Sequence, residues 1–177
     1  MSPALIRMLV LVAMVATMAL GAHVDIPMHP VPMTLQSLAI LLAGLWLGPV
    51  WGALAVIAYL ALALLGLPVL AEGASGLAPF VGATAGYIYG FILVAVLAGL
   101  LAQQQKARHP LFGIAGLFGL HLVLLAMGSV WLSSRIGIGP ALAAGFTPFL
   151  IGALVKSAIA WAIWIRLNTI VNCKFCN

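Results

Sequence analysis

From Leu35 to Ala71 the chain carries no charged residue, and Gly48-Pro49 punctuates the middle of that run. Two straight membrane spans need about 40 residues plus a turn, so the interval is slightly short for the pair it has to form. One of the two must be short, tilted, or dipped into a cavity lined by protein. Short segments interrupted by Gly and Pro are the usual sequence pointer to a transporter's binding site. The whole chain agrees in class: of 177 residues, 66% are hydrophobic and 5% charged, with mean hydropathy +1.29. A soluble domain of this length cannot hide so much apolar surface, whereas a bilayer does not require it to. We therefore expect an all-α polytopic membrane protein, one integral domain over 1–177, with six transmembrane helices and irregular substrate-capping loops on its outer side. The helices are expected at about 4–22, 34–47, 50–65, 84–102, 111–132 and 141–167.

Two stretches break the pattern. Residues 23–36, HVDIPMHPVPMTLQ, hold Pro27, Pro30 and Pro32, which forbid helix and favour an extended, polyproline-like course until helix restarts near Thr34. Residues 66–90, GLPVLAEGASGLAPFVGATAGYIYG, are rich in Gly and Pro in their first half and lead into Tyr87 and Tyr89. Such backbone is tolerated at membrane depth where it is buried in protein or lines a cavity. It reads as a capping loop and one wall of a site, against the plainer reading of a surface loop. Further on, QQQKARHP (103–110) is the clearly polar connection, SSRIGIGP (133–140) is read as a turn, and the last helix is expected to bend near Pro148.

With six spans, Arg7, the 103–110 connection with Lys106 and Arg108, and Arg166 and Lys174 fall on one side. Arg135 falls on the other, with both acids, Asp25 and Glu72. The positive-inside rule then puts both termini in the cytoplasm. Seven basic residues spread along the chain make no nucleic-acid patch. They are better read as topology signals, in a chain surrounded by a lipid bilayer.

Lys156 carries the most information. Counted from Pro148 it lies about 12 Å along the last helix, deep enough that a cation costs several kcal/mol unless paired or hydrated. Phe149, Gly152, Ala153 and Ala160 share its helical face, so small residues leave room before the ammonium. A lysine snorkelling to water is the competing reading. His121, in the fifth span, is a candidate ligand contact, although hydrogen-bonded histidines are common in helix packing. His23 and His29 read as interfacial. Ala13, Thr17 and Gly21 recur every four residues and form a ridge on which another helix could pack.

Catalysis finds little footing. The sequence lacks HExxH, GxSxG and GxxxxGK[ST], and two acids leave no paired-carboxylate chemistry. A Ser75–His121 pair is conceivable but nothing in the spacing demands it. Cys173 and Cys176 form a lone CxxC, too little for a metal centre, and we expect no metal. If the protein concentrates a solute, another chain must hydrolyse the ATP.

The motifs VPMTLQSLAILLAGLWLGPVWGA (31–53), YLALALLGLPVLAEGASG (59–76) and GATAGYIYGF (82–91) resemble, in order and spacing, those of the BioY family. These are the biotin-specific substrate-capture subunits, or S components, of energy-coupling factor vitamin transporters. The likeness spans almost the whole chain and weakens over 103–120 and after Arg166.

The resemblance implies a six-helix S component that binds biotin near the outer face beneath its first and third loops and has no cofactor or enzymatic activity of its own. A transmembrane coupling subunit would dock on Ala13, Thr17 and Gly21, and separate ATPase subunits would supply the energy. It further implies a substrate site drawing on Lys156, Glu72, Ser75, Gln36, Tyr87, Ala74, Ala153 and His121. The chain departs from the family pattern at PFLIGALVK (148–156), where Ala153 stands in place of an acid, and in the loop, where Glu72, Ala74 and Ser75 replace glycines and an amide. Ala83 and Ala85 depart similarly. Glu72 is the nearest substitute acid, and Lys156 is left to meet the ligand's carboxylate or ureido oxygen. The alternatives are an S component for a related vitamin, a membrane scaffold without a ligand, and, further off, a small polytopic enzyme. Whether copies assemble into a homo-oligomer is left open by the sequence.

Overall fold

The computed structural model describes residues 3–175, with side chains over 4–167. Helix α1 (Pro3–His23) leads into a two-stranded hairpin, β1 (Asp25–Ile26) and β2 (Met33–Thr34). Helices α2 (Gln36–Leu64), α3 (Ala78–Val81), α4 (Ala85–Ala102), α5 (Pro110–Ile136), α6 (Ile138–Gly145) and α7 (Phe149–Phe175) follow. Single 3-10 turns occupy Ala71–Gly73 and Gln105–Arg108. Five helical stretches, in α1, α2, α4, α5 and α7, are long and apolar enough to cross a membrane.

The first loop holds no helix, as its prolines require, and it folds back on itself. Its two ends pair antiparallel, Asp25 opposite Thr34 and Ile26 opposite Met33. Pro27, Pro30 and Pro32 all lie between the strands. Lacking N–H groups, they stop the ladder after two residue pairs.

Helix α2 is continuous in its residue span but not in its path. Gly48 leaves the helix at φ 78°, ψ 179°. A Cβ on Gly52 would lie 2.8 Å from the Cα of Gly44, whereas residues eight apart in a straight helix stand about 12 Å apart. The chain therefore doubles back at Gly48-Pro49, and the halves 36–47 and 49–64 pack side by side. Glycines make this close approach possible: Gly44 meets the backbone of Ala95 in α4, and Gly99 of α4 sits against Pro49 itself. Both halves begin or end a residue or two inside the expected bounds.

Two expectations in the second half are overturned. The stretch 133–140 is not a turn throughout, because α5 continues to Ile136 and only Gly137, at φ 84°, breaks it. Within that last turn Ser133 and Ser134 return their hydroxyls to the carbonyls of Val130 and Trp131, three residues back. The last helix is not one bent rod from 141: α6 ends at Gly145 and α7 starts at Phe149. Pro148 cannot donate to a preceding turn and sits just before the new start.

Helix α2 packs on α1, α4 and α7, and α5 packs on α4, α6 and α7. Met14, Met18 and Ala22 bury one stripe of α1, while Leu5, Met8, Leu9, Val12 and Leu20 stay exposed. Within the expected ridge, Ala13 and Thr17 are exposed, and the Thr17 hydroxyl bonds the Ala13 carbonyl at 2.8 Å. Gly21 does not share that open face: its Cβ would stand 3.2 Å from the Leu35 carbonyl carbon. A four-residue step drifts about 40° round a helix, which carries Gly21 from the open face towards the stripe that packs on α2. Cys173 falls in the last turns of α7, and Cys176 lies outside the described residues.

Candidate functional site

A cavity of about 510 Å³ lies among α2, α4, α5 and α7 beneath the first loop and the 70–84 segment. That volume is in the range of small-molecule sites, roughly 300–1,000 Å³. All eight residues singled out for the site line it: Gln36, Glu72, Ala74, Ser75, Tyr87, His121, Ala153 and Lys156. They do not stand in equivalent places.

Lys156, seven residues into α7, is 8% exposed. It does not snorkel. Its ammonium donates to Ser37 Oγ at 2.8 Å and to the Thr34 carbonyl at 3.1 Å, which joins α7 to α2 and to the base of the first hairpin. Both partners are neutral, and a lysine has three N–H donors, so one remains beyond these two bonds. The burial that holds the cation thus leaves its charge without a carboxylate.

His121 is 2% exposed and uses both ring nitrogens. Nδ1 lies 2.9 Å from Ser157 Oγ and Nε2 lies 3.3 Å from Ser37 Oγ. These partners replace the conceivable pairing with Ser75. Ser157 in turn donates to the Ala153 carbonyl at 2.7 Å. Gln36, 3% exposed, starts α2, and its side-chain nitrogen is buried without a hydrogen-bond partner. A buried amide in that state costs about 1–3 kcal/mol, and here it borders a space that an acceptor could fill.

Tyr87 points its hydroxyl away from any ligand role, donating to the Gly145 carbonyl at 2.6 Å. Its ring lies where a side chain on Gly128 would be, so α4 and α5 meet closely only because residue 128 is glycine. What Tyr87 offers the cavity is a ring. Phe91, Leu124, Leu125 and Phe149 add apolar wall around it.

Glu72 stands at the mouth rather than beside the buried cation. It is exposed, in the 3-10 turn Ala71–Gly73, with φ 57° and ψ 22°. That left-handed conformation is uncommon for a residue with a Cβ. The loop around it is fixed from both ends. Tyr59 donates to the Val69 carbonyl at 2.6 Å, and the Gly76 amide returns to the Ala63 carbonyl at 2.8 Å. Past it, Tyr89 reaches the Phe80 carbonyl at 2.9 Å, Trp131 the Gly82 carbonyl at 2.9 Å, and Arg135 the Val81 carbonyl. Tyr89 and Trp131 also meet edge to face, with ring centroids 5.9 Å apart.

Sequence reasoning missed Thr34, Ser37 and Ser157. The available signal was their rarity, since each is a polar residue within or beside an otherwise apolar span. Among the described residues, no group of three or more His, Cys, Asp or Glu is placed to hold a metal.

Comparison with known proteins follows the same outline. A family model described as the BioY family matches residues 1–172. A probable biotin transporter BioY of Pyrococcus horikoshii is 39% identical, over 87% of this chain and 91% of its own. The biotin transporter BioY of Thermotoga maritima is 38% identical, over 86% and 90%. Among solved structures, the S component for biotin from an ECF-type ABC transporter superposes with TM-score 0.86 at 30% identity, covering 94% of this chain and 92% of that one. On a match that runs through the cavity-forming helices and nearly the whole sequence, this chain, a multi-pass membrane protein, belongs to the BioY family.

Proposed function

We propose that the protein captures biotin and carries it across the membrane as the substrate-binding S component of an energy-coupling factor transporter, with separate ATPase and coupling subunits supplying the energy. The observation that carries the reading is the cavity floor. A buried ammonium with a donor to spare and a buried, unpartnered Gln36 amide border one apolar chamber. Biotin offers oxygen acceptors at both ends, a ureido carbonyl and a valerate carboxylate, separated by an apolar thioether ring. In this reading the carboxylate meets Lys156 and supplies the charge the site lacks, while Tyr87, Phe91 and Phe149 enclose the ring. Glu72, Ala74 and Ser75 form the rim, with Ala153 leaving space at the floor.

Six crossings follow if the two halves of α2 count separately, as the reversal at Gly48 supports. Both termini then lie on the cytoplasmic side and the mouth opens outward. Single cysteines introduced at positions 72 and 106 should react with an impermeant reagent from opposite sides; labelling from one side rejects this topology.

Calorimetric titration of the purified protein with biotin and biotin methyl ester tests the function. Biotin should bind, and the ester at least about tenfold more weakly, the loss of one charged hydrogen bond. Failure of both to bind overturns the reading. In the same preparation, replacing Ala13 and Thr17 with Leu should abolish co-purification of the coupling subunit while leaving the titration unchanged. If the complex survives, that exposed face of α1 is not the docking surface.

A further inference from the structure

The polar groups behind Lys156 form a chain whose two ends lie on the same helix. Lys156 donates to Ser37 of α2, Ser37 meets Nε2 of His121 in α5, Nδ1 of His121 meets Ser157, and Ser157 donates to the carbonyl of Ala153. Every side chain in it is at most 8% exposed.

The direction of each bond follows from the ends. An ammonium only donates, and a carbonyl only accepts. The Ser157 hydrogen is committed to Ala153, so Ser157 accepts from His121, whose hydrogen must be on Nδ1. Nε2 is then the acceptor for the Ser37 hydroxyl, and the Ser37 oxygen is left to take the lysine. One tautomer and one set of hydroxyl rotors satisfies the entire chain.

From this we infer that Ser37, His121 and Ser157 are a positioning relay for Lys156. It aims the ammonium at the cavity from three helices while holding it with neutral groups alone. His121 is thereby a positioning residue and not a ligand contact. The inference rests on the proposed function and says how the site selects for a carboxylate. A lysine paired with an acid would already be neutralised, and a lysine held by hydroxyls and a carbonyl keeps its full attraction for an anion. In a water-poor cavity that attraction is strong. Ala153 fits the same logic, because its side chain brings no acid and its carbonyl terminates the relay.

The test is the ratio of biotin to biotin methyl ester affinity in the full chain, measured by calorimetry for the wild type, Ser157→Ala and His121→Leu. Ser157→Ala removes one hydroxyl without adding volume and serves if His121→Leu fails to fold, which unliganded thermal unfolding will reveal. In the relay variants the preference for biotin should shrink about fivefold, through weaker biotin binding with little change for the ester. A merely structural role would weaken both ligands alike, so an unchanged ratio overturns the relay. A wild type that binds neither ligand overturns the functional reading instead. A wild-type ratio near one removes the carboxylate from Lys156, and the relay's purpose with it.

Discussion

The floor of the cavity and its mouth are built in opposite ways. At the floor, side chains on three long helices bond one another: Lys156, Ser37, His121 and Ser157 are all buried, and each depends on the identity of the next. At the mouth, residues 67–82 are anchored through their backbone. Tyr59, Tyr89, Trp131 and Arg135 reach in from the helices and hold the loop by its carbonyls. A carbonyl is the same whatever side chain it carries, so the loop's small residues set its curvature while distant residues set its position. The floor is specified by chemistry and the mouth by shape. Substitutions should therefore be costly at the floor and mild at the mouth.

Replacing the lysine tests that contrast most severely. Lys156→Ala should weaken biotin binding by about 30- to 1,000-fold, on the order of 2–4 kcal/mol, as expected for a buried charged partner. Lys156→Arg should also bind poorly, because a planar fork does not reproduce a compact ammonium between Ser37 and Thr34. Equilibrium titration decides it, and a loss under threefold for Lys156→Ala would erase the distinction between floor and mouth. The small end of the scale is Glu72→Gly. Glycine adopts the left-handed backbone of residue 72 without steric cost, and an exposed charge contributes little. Biotin affinity should change no more than about fivefold. A loss matching that of Lys156→Ala would mean the carboxylate reaches the ligand and that the mouth is specified by chemistry after all.

How far each region was legible in the sequence follows from the same contrast. Lys156 stood out because a cation deep in an apolar helix must be compensated, and that expense is visible without coordinates. Its actual partners were not visible. Ser37 and Ser157 are ordinary helix residues, 120 positions apart in the chain, and only packing of α2, α5 and α7 brings them to one histidine. The loop was legible as a loop, since glycines and prolines break helices wherever they cluster. Its tethers were not, because a tyrosine or tryptophan in a span has no pattern naming the carbonyl it will reach. Glu72 reads in the sequence as the nearest substitute for the missing acid, on charge alone. Its backbone puts it at the exposed rim, a matter of φ and ψ that composition does not carry. The break between α6 and α7 was placed near the right proline but read as a bend, because the sequence gives the obstacle to helix and not the path taken around it.

The reversal at Gly48-Pro49 has a consequence for how this chain could be altered or divided. The turn is pressed against Gly99 so closely that a single methyl group there would collide with its backbone. On its α4 side the turn has no space to spare, although Gly48 is open on the other side, so a cut or a circular opening there would disturb the seat of α4 on both halves of α2. The Gln105–Arg108 turn is different in kind. Residues 103–106 are exposed, and next to them Trp161 donates to the Ala107 carbonyl at 3.1 Å. Exposed polar backbone of this sort is where chains accept insertions. If the protein were to be split into two co-expressed pieces, or made to carry a fluorescent reporter within its sequence, the seam would belong just before Ala107, where the connecting chain is exposed and the packing of α4 on α5 would still hold the pieces together.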